Sequence, residues 1–106
     1  MIDPFNACDD AITQWAASRS LKVLRDAPGR LVRFMYVTGT GRECFQIFID
    51  PVGDGDFSVN AASIETDDDD DLTQAWRASH QTLVATLDVA WKRIDEWMKR
   101  PRTSTW

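Results

Sequence analysis

The chain has 106 residues, of which 43% are hydrophobic and five are tryptophan, so one domain can bury a core of its own. Its uninterrupted apolar runs are far shorter than the roughly 20 residues of a membrane span, and no basic-then-apolar leader precedes the first element. We therefore expect one soluble cytoplasmic domain over residues 1–101, followed by a frayed tail at 102–106.

The net charge of −5 is distributed unevenly along the chain. Residues 19–42 carry +5, whereas residues 43–71 carry −10 and contain no Lys or Arg. The basic stretch is interleaved with Phe34 and Tyr36, a pattern typical of nucleic-acid binding. The overall acidity instead favours cations that face acidic groups of the same molecule, and nucleic acid is an unlikely partner.

The first predicted element is a helix that begins at Asp3-Pro4, a capping residue followed by a proline in the first turn. One face of this helix carries apolar residues at helical spacing and ends before the polar residues 18–20. The residues on that face are Phe5, Cys8, Ile12 and Trp15. We expect Cys8 and Cys44 to be reduced thiols in buried segments, because the chain lacks a dense cysteine framework.

Four strands are predicted next, joined by turn residues rich in Gly, Pro and Asp. Their ranges are 21–25, 30–38, 42–50 and 57–65. Residues 66–78 allow two readings. Either the last helix extends back to Asp71, or 66–71 form an acidic hairpin tip and 72–78 a fifth strand. We favour the strand, because a helix of about 45 Å would overhang so small a domain.

The last predicted element is a longer helix from Ser79 to Arg100, which ends before Pro101. Its predicted buried stripe consists of Leu83, Val84, Leu87, Trp91, Ile94 and Met98. The element order predicts an α+β fold: an antiparallel meander of four or five strands, with an N-terminal and a longer C-terminal helix covering one face.

Seven aspartates are the predicted partner-binding residues. They are Asp54, Asp56, Asp67, Asp68, Asp69, Asp70 and Asp71. A calcium loop needs alternating ligands, and neither the contiguous run nor the loop around Gly53 follows that pattern, so no metal is predicted. No catalytic or cofactor motif is predicted either, since His80 stands alone and Cys44 has no activating neighbour in sequence.

Both faces of the predicted sheet are partly apolar, although two helices cover only one of them. We place Met35, Val37 and Phe48 on the uncovered face as interface residues, and expect a homodimer of paired sheets or a tight heteromeric complex. A curved, closed sheet that buries these residues is the competing interpretation.

The sequence therefore predicts a small acidic, non-catalytic protein-binding module. An inhibitor, an immunity protein or a dedicated chaperone for a basic partner has this chemistry, because carboxylates complement a cationic site. The alternative is a small-ligand-binding or enzymatic domain with a pocket between sheet and helices, lined by His80, Cys44 and a carboxylate.

Overall fold

The described part of the chain folds as an antiparallel four-stranded sheet with two helices. A computed structural model describes residues 5, 8–25, 32–38, 44–65 and 72–99. Its elements are α1 (Asp9–Ala17), β1 (Arg33–Thr38), β2 (Cys44–Gly53), β3 (Asp56–Glu65), β4 (Thr73–Ala78) and α2 (Leu83–Met98). The strands are ordered β1-β2-β3-β4, and each pairs with its chain neighbour. The predicted α+β class and the meander are confirmed, and the tail at 102–106 lies outside the described residues.

The strand reading of 72–78 is confirmed, because β4 pairs with β3 in an unbroken antiparallel register. The predicted strand at 21–25 is wrong. Ser20 adopts a left-handed φ of 57°, and the backbone N–H of Leu21 donates to the carbonyl of Ala16 at 2.9 Å, closing a Schellman motif at the end of α1. These residues cap the helix, and a single bridge between Leu24 and Phe34 is all that joins the sheet.

The β2–β3 connection is tighter than the predicted loop at 51–56. β2 continues to Gly53, which pairs with Asp56, so the turn itself consists of Asp54 and Gly55. These two residues have φ values of 55° and 78°. Positive φ at both positions is the signature of a type I′ turn, for which Asp-Gly is a preferred sequence.

Both helices lie on the same face of the sheet, because their apolar side chains form one core with one set of strand residues. All four residues of the predicted stripe of the first helix are buried, but Phe5 and Cys8 precede α1. The predicted start of this helix is wrong, because α1 begins at Asp9, after a turn in which the N–H of Cys8 donates to the carbonyl of Phe5. The predicted capping pair Asp3-Pro4 lies outside the described residues. In α2 the predicted stripe is correct at Leu83, Leu87 and Ile94 but wrong at Val84, which is 38% exposed. Thr86, Ala90 and Trp97 complete the buried face. The predicted stripe is therefore rotated away from the centre of the buried face, and Trp91 and Met98 lie half-buried at the margin of that face.

Strand alternation defines an inner face, against the helices, and an outer face. The inner face carries Arg33, Met35 and Val37 from β1, Phe45, Ile47 and Ile49 from β2, Phe57, Val59 and Ala61 from β3, and Trp76 and Ala78 from β4. The outer face carries Phe34 and Tyr36 from β1, Gln46 and Phe48 from β2, Ser58, Asn60 and Ala62 from β3, and Thr73, Ala75 and Arg77 from β4.

The predicted placement of the interface residues is therefore wrong for two of three. Met35 and Val37 are 0% and 3% exposed and pack in the core, whereas Phe48 lies on the outer face. The register shows the error: Met35 and Val37 pair with the core residues Ile47 and Phe45, whereas Phe48 pairs with Phe34. Arg33 shares the alternation of Met35 and Val37 and therefore also lies on the inner face. An arginine favours the solvent side of a strand unless it is paired, and Arg33 is paired inside the fold.

Arg33 and Asp9 form a two-pronged ion pair that ties the first turn of α1 to the start of β1. The Nε and Nη2 atoms of Arg33 donate to the two carboxylate oxygens of Asp9 at 2.8 and 3.0 Å, and Nη1 donates to the carbonyl of Val32. The guanidinium also lies 4.3 Å from the ring centre of Phe5. This arrangement satisfies a charge that would otherwise be too costly to bury.

Candidate partner-binding surface

Three aromatic side chains form the apolar part of the outer face. Phe34 and Phe48 are cross-strand partners, and their rings stack with centroids 6.1 Å apart at 22°. Tyr36 meets Phe34 edge to face at 5.8 Å and is 45% exposed. Both helices pack on the inner face, and on the outer face Tyr36 is exposed whereas Phe34 and Phe48 are half-buried. We call Phe34, Tyr36 and Phe48 the aromatic patch.

Small and polar side chains continue the outer face across β3 and β4. Asn60 pairs with Phe48 on one side and Ala75 on the other, and its side-chain amide donates to the carbonyl of Phe48 at 3.4 Å. Ala62 and Ser58 flank it on the same strand. The outer face beside the aromatic patch therefore consists of small and polar side chains.

Carboxylates border the outer face at the β2–β3 turn. Asp54 is exposed at the tip of the turn. Asp56 is less available, because its carboxylate accepts a hydrogen bond from Nε of Arg77 at 3.1 Å. The remaining predicted partner-binding residues, Asp67 to Asp71, lie outside the described residues.

Ion pairs within the fold neutralise several cations of the basic stretch. Arg19 donates to Asp88 of α2 at 2.6 Å and lies 4.5 Å from the ring centre of Trp15. Arg33 and the more exposed Arg25 both face Asp9. The hydrogen bond from Arg33, reinforced by the positive charges of both arginines, holds the pKa of the Asp9 carboxyl below its usual value, although burial opposes this. These acids belong to the two helices and not to the acidic segment.

The structure does not bring the candidate catalytic residues His80 and Cys44 together. His80 is exposed just before α2, with its ring 5.1 Å from that of Phe57, beside the β2–β3 turn. Cys44 begins β2 at the far end of the sheet, and neither Cys8 nor Cys44 forms a disulfide. Among the described residues, no group of three or more His, Cys, Asp or Glu side chains could hold a metal ion.

A cavity of about 190 Å³ lies between β1 and α2. Its described lining consists of Val37, Thr38, Trp91, Ile94, Asp95 and Met98. This volume is smaller than the roughly 300–1,000 Å³ that is typical of ligand pockets. Neither His80 nor Cys44 is among these lining residues, so this cavity does not reproduce the predicted catalytic pocket.

The fold and the outer face together define an open-faced α+β domain that carries an aromatic patch on its outer face and two aspartates at the β2–β3 turn. The chain matches no protein-family model, no curated protein and no solved structure. Of the helices that the structure describes, none is long and apolar enough to span a membrane.

Sequence reasoning missed Phe34 and Tyr36 as members of the outer face. Phe48 was assigned to that face by the alternation of β2, and the same argument on β1 required knowing which of two apolar sets faced the helices. The register between β1 and β2 supplies this information, because the cross-strand partner of Phe48 is Phe34 and not Met35.

Proposed function

We propose that this protein is a non-catalytic binding module of the cytoplasm that holds a basic partner protein on the outer face of its sheet. An inhibitor, an immunity protein or a dedicated chaperone acts in this way. The observation that carries the proposal is the aromatic patch, which lies on the face opposite both helices.

Aromatic side chains suit the centre of a protein interface. Phe and Tyr supply large contact areas at a small cost in side-chain entropy, and aromatic residues are enriched in interface cores. The stacked Phe34 and Phe48 rings are already held by each other and by their cross-strand pairing. A partner that binds them therefore orders little that is not ordered beforehand.

The charge of the molecule supports a basic partner. The chain carries a net charge of −5, and residues 43–71 contribute ten acidic and no basic side chains. Arg77, the cation on the outer face of β4, is already paired with Asp56. Complementary charge accelerates encounter and rejects acidic competitors, whereas the aromatic patch supplies the affinity.

The test compares proteins retained from native cell extract by the immobilised wild-type chain and by two variants. Phe48→Asp places a carboxylate in the aromatic patch, and Val84→Asp places the same charge on an exposed position of α2, on the other side of the sheet. We expect a basic protein that the wild type and Val84→Asp retain and Phe48→Asp loses. Equal retention by all three would contradict the proposal, provided that circular dichroism shows Phe48→Asp to be folded.

A further inference from the structure

The two edges of the sheet differ in their protection. At the β1 edge, Phe34 and Leu24 exchange two backbone hydrogen bonds of 2.8 and 3.0 Å, which occupies part of that edge. At the β4 edge, no strand in the described part of the chain pairs with the side facing away from β3. β4 contains no proline, and its register with β3 shows no bulge. Proline and bulges are the usual devices that keep an edge from pairing.

The backbone groups that point out of the β4 edge can be identified. The N–H of Ser63 donates to the carbonyl of Leu72 at 2.8 Å, so Leu72 belongs to the set that bonds β3. Antiparallel pairing alternates, and therefore Gln74, Trp76 and Ala78 bond β3. The N–H and C=O groups of Thr73, Ala75 and Arg77 point outward.

We infer that β4 pairs with β4 of a second copy of this chain, in an antiparallel two-fold arrangement centred on Ala75. This register places Ala75 opposite its own copy and Thr73 opposite Arg77 of the partner subunit. All three outward residues of each strand then form about six hydrogen bonds, the full set that the edge offers. The two sheets become one sheet of eight strands.

The side chains of the edge are compatible with this two-fold pairing. On the outer face, the small Ala75 meets itself at the axis, and each Arg77 lies opposite a threonine rather than another cation. Each Arg77 is also neutralised within its own subunit by Asp56. The edge therefore has no like-charge pair at its centre, so a second copy can pair with it. An edge protected by charged side chains would place like charges opposite each other and prevent this pairing.

The groove beside β4 supports the same occupant. It lies between β4 and the flank of α2 and has a volume of about 430 Å³. Its described lining consists of Gln74, Trp76, Val89, Lys92, Arg93 and Glu96. Because α2 packs mainly over β3 and also contacts β4, pairing sets the two copies of α2 about 10–14 Å apart, a gap that long side chains can span.

The charges on this flank are nearly balanced. The flank carries both signs, and Arg93 is already held by Glu96 at 3.6 Å and by the side-chain oxygen of Gln74 at 2.8 Å. Val89 is apolar and 47% exposed within the same groove. Lys92, Arg93 and Glu96 sum to +1, so two such flanks repel each other little when they meet, although the molecule as a whole carries −5.

The test measures mass in solution by light scattering from 5 to 500 µM (roughly the range over which weak dimers form). We expect the wild type to reach twice the chain mass. Ala75→Pro removes an outward N–H without touching a β3 bond, so it should fold and remain at the mass of one chain. Ala75→Val, which keeps that N–H, should dimerise like the wild type.

Amide hydrogen exchange of the unmodified chain provides a second test that does not depend on a variant. The amides of Ala75 and Arg77 should become protected as concentration rises, whereas those of Gln74 and Trp76 should be protected at every concentration. A wild type that remains at the mass of one chain overturns the inference. So does a dimer whose Ala75 and Arg77 amides exchange freely, or one that Phe48→Asp dissociates and Ala75→Pro leaves intact. The edge does not include the aromatic patch, so this inference and the proposed function can fail separately.

Discussion

Replacing Asp9 by Asn should destabilise the domain by about 3 kcal/mol at neutral pH. The side chains of Arg33 and Asp9 are 4% and 20% exposed, so removing the carboxylate leaves a buried guanidinium without its counter-ion. Breaking such a pair costs about 3–5 kcal/mol. We expect the lower end, because the asparagine oxygen still accepts one of the two hydrogen bonds and Asp9 retains some contact with solvent.

The matched control is Asp10→Asn. Asp10 is the exposed neighbour in the same first turn of α1, so both variants lose one favourable charge near the helix N-terminus, an effect of about 0.3–1 kcal/mol. The difference between the two variants isolates the Arg33 pair. In urea denaturation followed by tryptophan fluorescence, a loss of 3 kcal/mol lowers the midpoint by about 1–3 M.

The ion pair also predicts the direction in which the free energy of unfolding changes with pH. Because the pKa of Asp9 is lower in the folded state than in the unfolded chain, the wild type gains stability above the unfolded value of about 3.9. That gain disappears as pH falls through the folded value. The difference between wild type and Asp9→Asn should therefore be largest above about pH 5 and shrink towards pH 3. Equal stabilities of Asp9→Asn and Asp10→Asn at pH 7 would refute this account of Arg33.

Three further predictions concern the helices and the acidic run. Leu87→Ala, at a fully buried position of α2, should lower the free energy of unfolding by about 2–5 kcal/mol in urea denaturation. Lys92→Ala, on the exposed side of α2, should leave the midpoint unchanged. The reverse ranking would contradict the orientation of α2. Ser20→Gly should raise thermal stability by about 0.5–1 kcal/mol, because the left-handed φ of 57° strains serine and suits glycine; a loss of stability would argue against the Schellman cap. Replacing Asp67 to Asp71 together by Asn should leave the free energy of unfolding unchanged. The same change should weaken binding of the basic partner and reduce the salt dependence of that binding. An affinity equal to that of the wild type at low salt would exclude this run from the binding surface.

Elements set by local patterns were predictable from the sequence. The apolar spacing of Ile12 and Trp15 identifies α1, and the polar residues after it mark its end at Ala17, whereas Phe5 lies in the turn before the helix. The length limit on the last helix correctly favoured a strand at 72–78. These predictions succeeded because helical spacing and chain length act within one element.

Features that depend on contacts between distant residues could not be predicted in the same way. β1 offers two apolar sets, one with Phe34 and Tyr36 and one with Met35 and Val37, and alternation alone does not say which faces the helices. The register between strands shows it: Met35 and Val37 pair with Ile47 and Phe45, which face the helices. Arg33, on the same face, is paired with Asp9, 24 positions earlier. The same limit applies to the candidate surface: Phe48 could be assigned from β2, whereas Phe34 required the register between strands.

The proposed binding of a basic protein to the aromatic patch is tested most directly by affinity. Once the partner is captured, its dissociation constant should be measured by calorimetry against wild type, Phe48→Asp and Val84→Asp at one salt concentration. We predict that Phe48→Asp weakens binding at least tenfold, about 1.4 kcal/mol, and that Val84→Asp stays within twofold of wild type. A folded Phe48→Asp variant that binds as tightly as wild type would contradict the proposal.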